Sequence, residues 1–203
     1  EALGLPVPHY GHLALIVGSD GGPLSKRSGD LSVRELRAQG YLPEVLLNYL
    51  ARLGHSYEQD TWLNVNELAA GFSPDHLGRA PARFDEAHLL HWQAEGVQRA
   101  TYEQLWDWVG TGVRDQVPEE VTEAFIATVR PNIRFPADAL FWAERFFGVE
   151  LARSVESETA ITAAGSGFFG HALAAYDQYG ADYPALTANL RERTGLKGKP
   201  LFM

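Results

Sequence analysis

Cysteine is absent from all 203 residues, so neither a disulfide nor a thiolate metal site is possible. No apolar run approaches the roughly 20 residues that a membrane-spanning helix needs. The first residues, Glu1-Ala2-Leu3-Gly4-Leu5-Pro6, have neither the basic start nor the apolar centre of a secretory signal. From these absences we expect a soluble, cytoplasmic protein that makes no membrane contact. His-Glu-x-x-His and Gly-x-x-x-x-Gly-Lys-Ser/Thr are also missing, which removes the helical zinc-protease and P-loop readings. No serine or cysteine nucleophile motif, internal repeat or low-complexity stretch stands out.

What is present fits a globular chain, with 45% apolar residues and room for one large or two small domains. The net charge of −9 argues against a protein that coats nucleic acid indiscriminately. The charge is uneven. Residues 1–54 hold five Lys/Arg and five Asp/Glu, residues 55–130 five against thirteen, and residues 131–203 seven against eight. A contact with phosphates depends on the local field, so it belongs on the first and last portions.

One stretch carries chemistry. Pro23-Leu24-Ser25-Lys26-Arg27-Ser28-Gly29-Asp30 follows a strand-like run, residues 12–18, and the turn Asp20-Gly21-Gly22. Lys26 offers a mobile point charge and Arg27 a planar fork of donors, a pair of tools suited to phosphate. Alone, such a tripeptide reads as an ordinary solvated turn. It is followed at once by a sharply signalled helix. Ser32 and Glu35 have the spacing of a capping box, Leu31 and Leu36 that of a hydrophobic staple, and Gly40 can close the helix in a left-handed conformation.

Pro43 suits the first turn of the next helix, whose Val45, Leu46, Tyr49, Leu50 and Leu53 share a face before Gly54. Asn64 with Glu67 predicts another start, and Gly71-Phe72-Ser73-Pro74 its stop. Asp85 caps a helix predicted over 86–95. The pattern lapses from Gly96 to Thr101, where we place a domain boundary, at 98/99. Beyond it every segment is helical: 102–110, 119–129, 137–147, 159–179 and 184–194, with prolines at their ends. The fold class is therefore mainly α, a small mixed α/β part followed by an all-α part.

The order of these features resembles the bacterial glutamyl-tRNA synthetases, class I aminoacyl-tRNA synthetases. The resemblance rests on His12-Leu13-Ala14-Leu15-Ile16-Val17-Gly18, then Leu24-Ser25-Lys26-Arg27 against the family's KLSKR. Gly40-Tyr41-Leu42-Pro43-Glu44-Val45-Leu46-Leu47-Asn48-Tyr49-Leu50 and Leu53-Gly54 complete it. Weaker matches are Arg83-Phe84-Asp85 and Gly195-Leu196-Lys197-Gly198-Lys199-Pro200-Leu201-Phe202. Pro23 replaces the motif's first Lys, Ser28 stands where the family usually has His, and Trp92 lies one residue late.

The resemblance implies a stem-contact domain over 1–98 and a helical anticodon-binding domain over 99–203, truncated at its end. It implies ATP-dependent activation of glutamate and transfer to tRNA-Glu. Lys26 would neutralise charge developing on the leaving pyrophosphate. Ser25 would hold the loop by a hydrogen bond, and Arg27 would support phosphate or tRNA. Arg34 and Arg37 stand as contacts to the tRNA backbone. Arg191, Arg193, Lys197 and Lys199 read equally as tRNA contacts or as a solvated helix end favoured by the dipole. No His-x-Gly-His precedes the loop. We therefore expect a monomeric fragment that lacks the Rossmann catalytic domain, binds ATP and Mg²⁺ only as part of a larger enzyme, and is inactive alone. The rival readings are a non-catalytic module that binds tRNA or a protein, and a class I enzyme of another specificity.

Three other patterns invite function and are set aside. Gly165-Ser166-Gly167-Phe168-Phe169-Gly170 matches a dinucleotide fingerprint but lacks the strand before it, and reads as a helix break or close contact. His88 and His91, with Asp85 and Glu95, lack a further ligand, so no metal site is expected. Trp106, Trp108, Phe125, Phe141, Trp142, Phe146 and Phe147 recur at helical positions and read mostly as core, with base stacking by one or two left open.

Overall fold

The computed structural model describes residues 4, 10–18, 21–22, 32–149, 153–198 and 201, and the statements below refer to these. The chain divides by packing into two units, Glu1–Val149 and Glu150–Met203.

Unit 1 opens with strand β1 (Ile16–Val17), then helices α1 (Val33–Gln39), α2 (Pro43–Arg52) and α3 (Val65–Gly71). Strand β2 (Ala82–Arg83) pairs parallel with β1, Ile16 opposite Ala82 and Val17 opposite Arg83. Helices α4 (Glu86–Arg99), α5 (Tyr102–Trp108), α6 (Thr111–Arg114), α7 (Thr122–Val129) and α8 (Pro136–Phe147) follow. Every regular element described after residue 100 is helical, and the fold is mainly α with one small parallel sheet.

The local signals act where they were read. Ser32 and Glu35 close a capping box on α1 and Asn64 and Glu67 one on α3, while Thr101 and Gln104 close a further one on α5 that was not read from the sequence. Asp85 accepts the Ala87 and His88 N–H groups at the head of α4. Pro43 and Pro136 occupy the first turns of their helices.

Four expectations change. The strand predicted over 12–18 is ordered as strand only at Ile16–Val17, because its partner is two residues long and Asp85 then turns the chain into α4. Helix α4 does not lapse at Gly96 but runs to Arg99. A Cβ on Gly96 would lie 2.5 Å from Val45 Cγ2, so glycine here permits close helix packing. Leu50, counted with the core face of α2, is 45% exposed, while Val45, Leu46 and Tyr49 are buried. Phe141 and Phe146 are exposed, whereas Phe125 is buried and Trp106, Trp108, Trp142 and Phe147 are partly buried against the core.

The core of unit 1 forms two clusters. One gathers Leu36, Tyr41, Val45, Leu46, Tyr49, Leu89 and Trp92; the other runs from Val97 through Leu105, Val113, Phe125 and Ile126 to Ala139 and Ala143. Leu42 packs against both. The boundary expected at 98/99 falls inside unit 1, at the end of α4, whereas the packing boundary lies between Val149 and Glu150. The first rests on the lapse of the helical pattern in the sequence, and as a division of function it stays a proposal.

Unit 2 is a helical hairpin of α9 (Val155–Tyr179) and α10 (Tyr183–Thr194), closed over Ala175, Leu190 and Leu201. Gly165 breaks the regular course of α9 with φ 70° and ψ 170°. The glycine pattern there is a helix break, as its sequence context indicated.

Candidate functional site

The basic segment is flanked on both sides by defined structure. Before it, β1 leads into a turn in which Gly21 N–H donates to Gly18 O at 3.0 Å and Gly18 N–H to Gly22 O at 2.8 Å. After it comes α1, entered through Ser32. Pro23, Leu24, Ser25, Lys26 and Arg27, with Ser28 to Leu31, lie outside the described residues, and so does Lys199. The proposed staple of Leu31 on Leu36 lies outside them for the same reason.

Helix α1 has seven residues and buries only Leu36. Arg34 and Arg37 are exposed on it, one turn apart and on one face. Among the described residues neither has a carboxylate within ion-pair distance. Arg191 and Arg193 lie in the last turn of α10, and Lys197 follows the left-handed Gly195; all three are exposed. The candidate cations thus fall into two groups, one in each unit.

The capping box has an electrostatic consequence. Ser32 N–H donates to Glu35 Oε2 at 2.9 Å, and its hydroxyl also bonds that carboxylate. The side-chain hydrogen bond first, then the backbone one, hold the Glu35 carboxyl below the usual carboxylate range. A lowered carboxyl pKa stabilises the fold above its unfolded value, and this contribution is lost as pH falls through the folded one. We expect Glu35 to titrate by NMR below an ordinary glutamate, and Ser32→Ala to move its midpoint up. An unshifted midpoint in the parent chain would contradict the box.

Two buried polar arrangements were not foreseen. Asn48 donates to Glu44 O and Leu63 O and accepts from Leu63 N–H. Arg52 caps this lock, donating to Asn48 and to Thr61 O and lying over the rings of Trp92 and Tyr57. Burial lowers the pKa of Arg52, with Asp60 and then Tyr57 opposing it. The second arrangement centres on Gly40, whose carbonyl accepts from both Gln93 and Trp108. No motif announces the first, and the second joins residues 53 and 68 positions apart, beyond the reach of any local pattern.

A groove of about 570 Å³ lies beside Gly40's neighbours, lined by Glu44, Trp62, Arg99, Gln104, Asp107 and Trp108. Much of its polarity is already engaged: Arg99 with Glu95, Gln104 with the Thr101 N–H, Asp107 with Arg114 and Trp108 with Gly40. His88 accepts the Trp92 indole N–H at 3.0 Å. Among the described residues no group of three His, Cys, Asp or Glu is placed to hold a metal ion, and no helix is long and apolar enough to cross a membrane.

Residues 1–91 match the family of class I tRNA synthetases (E and Q), catalytic domain. Over all 203 residues the chain is 52% identical to glutamate–tRNA ligase 2 of Nitrosococcus oceani, covering 43% of that protein. It is 42% identical over 202 residues to glutamate–tRNA ligase 2 of Coxiella burnetii, again covering 43%. With glutamate–tRNA ligase 1 of Halorhodospira halophila the identity is 46% over 203 residues. The chain spans about two fifths of the length of the curated relatives it matches. A solved glutamate–tRNA ligase from Elizabethkingia meningosepticum, in complex with its amino acid, superposes with a TM-score of 0.76 at 22% identity, over 100% of this chain and 45% of that one. The glutamate–tRNA synthetase of Elizabethkingia anophelis gives 0.73, at 22% identity over 97% and 44%. At that identity the two structures speak for the fold.

Proposed function

We infer the activity of this chain from the family to which it belongs, the glutamate–tRNA ligases. As part of such a ligase it supports ATP-dependent activation of glutamate and transfer of the glutamyl group to tRNA-Glu. The observation that carries this reading is the 52% identity extending from one end of the chain to the other.

In the first step the glutamate carboxylate attacks the α-phosphate of ATP and pyrophosphate leaves. Lys26 neutralises the charge that gathers on the leaving oxygens, where a fixed cation counts most. Ser25 braces the segment and Arg27 supports phosphate or tRNA. Mg²⁺ would be bound together with ATP in the larger enzyme, where it would shield the phosphates. Residues 1–98 meet the tRNA stem through Arg34 and Arg37. Residues 99–203 face the anticodon, with Arg191, Arg193, Lys197 and Lys199 as phosphate contacts. Phosphate contacts position the RNA without reading its sequence.

The test pairs two proteins. The full-length ligase carrying this chain is expected to charge tRNA-Glu with glutamate. The 203-residue chain alone is expected to give no ATP–pyrophosphate exchange with glutamate and tRNA present, because one basic segment cannot hold ATP and glutamate together. A full-length protein that leaves tRNA-Glu uncharged, or exchange by the chain alone, would overturn the reading.

A further inference from the structure

Helix α1 is short and anchored by a single buried side chain, Leu36. One side chain in a core fixes where a helix lies but leaves its direction loosely set. Just past its C-terminal end, beside the buried Tyr41, two side-chain hydrogen bonds converge on one carbonyl and help to set that direction. Gly40 O accepts Trp108 Nε1–H at 2.7 Å and Gln93 Nε2–H at 3.2 Å. Gln93 is fully buried, and its amide is fully used: Nε2 also donates to Arg134 O at 2.7 Å, and Oε1 accepts Leu42 N–H at 3.1 Å. A buried amide is costly unless each polar atom is paired. This one ties the end of α1, the entry to α2 and the approach to α8 to the middle of α4. Trp108 adds the end of α5. Pro136, the first residue of α8, packs so closely on Gly40 that a Cβ there would enter its ring.

We propose that Gln93 and Trp108 are positioning residues for tRNA: through the Gly40 carbonyl they fix α1, and with it Arg34 and Arg37, relative to helices α4, α5 and α8. The proposal rests on the function inferred above. A tRNA touched by α1 and by α5 or α8, the unit 1 helices of the part proposed to face the anticodon, must meet both surfaces at one geometry. A displacement of about an ångström in such a frame can cost a large factor in rate, although no contact to the ligand is removed.

The test uses the full-length ligase and the kinetics of tRNA-Glu charging. Trp108→Phe keeps a flat ring and removes one N–H; Gln93→Met keeps the length of the side chain and removes its amide. One neutral hydrogen bond corresponds to about a 3- to 10-fold effect, so Trp108→Phe should lower kcat/KM for tRNA by about that factor and leave KM for ATP and glutamate unchanged. The Arg34→Ala/Arg37→Ala double variant should lower kcat/KM for tRNA as well. In that background Trp108→Phe should cost little more, because the cations it places are gone; residues acting through one another are non-additive. Gln93→Met should repeat the pattern. A merely structural role predicts losses that multiply in full. Such multiplication, an inert Trp108→Phe, or an inert arginine double variant would each overturn the proposal while the ligase reading stands. Failure of the parent ligase to charge tRNA-Glu would remove that reading first, and this proposal with it, before any variant is compared.

Discussion

Lys26→Ala in the full-length ligase is expected to slow adenylate formation by about 10²–10³ while KM for ATP changes little, the loss that follows removal of one transition-state donor. Pro23 stands at the place of the motif's first Lys, so on the proposed assignment Lys26 is the cation left to face the departing phosphates. Charge gathers on those oxygens only as the α-phosphate bond breaks. An interaction that strengthens there appears in kcat rather than in ground-state affinity. Lys26→Arg should restore part of the rate, since the guanidinium keeps the charge but not the shape of an ammonium. The competing assignment gives the charge to Arg27 and leaves Lys26 a solvated neighbour. Pre-steady-state adenylation by both alanine variants separates them: near-parental rates for Lys26→Ala beside a collapse in Arg27→Ala would refute the assignment.

The sequence shows what is local and hides what is distant. The caps of α1, α3 and α4 were readable because Ser32, Asn64 and Asp85 bond groups two or three residues away. Gly40 was readable as a helix end for the same reason. Its role as a junction was not, since Gln93 and Trp108 lie 53 and 68 residues further on. Strand β2 escaped because two residues carry no period. The apparent lapse from Gly96 is no end of α4: the missing side chain of Gly96 lets the helix lie against Val45 and Trp62, a contact that the sequence pattern does not show. The exposure of Phe141 and Phe146 escaped for a related reason: helical spacing alone does not tell which apolar face is covered. Of the site, the roles of Ser25, Lys26 and Arg27 come from the family resemblance alone and remain the proposal made above. The structure adds the frame beside them, a seven-residue helix bearing Arg34 and Arg37 and held by groups that no motif contains.

Gly40→Ala is expected to destabilise unit 1 strongly, because it combines backbone strain with a steric clash. Gly40 has φ 97° and ψ 18°, a left-handed conformation in which its N–H bonds Arg37 O and the Tyr41 N–H bonds Leu36 O. An L-residue held there stores about 1–3 kcal/mol of backbone strain. The added methyl would also enter the Pro136 ring, which cannot swing aside as a flexible chain would. Overpacking of this kind costs about 1–3 kcal/mol. Either the methyl or the ring must move, and movement stretches the bonds from Gln93 and Trp108 to the same residue's carbonyl. At about 2–4 °C per kcal/mol for a domain of this size, the two costs together should lower the unfolding midpoint by roughly 4–24 °C. Pro136→Ala opens the space. The double variant should therefore regain about half of the loss, leaving the strain alone, because residues in contact couple. Melting curves of the single and double variants, followed by circular dichroism, measure this. A midpoint within about 2 °C of the parent for Gly40→Ala would show that the junction yields freely, and that Gly40 is only a helix stop.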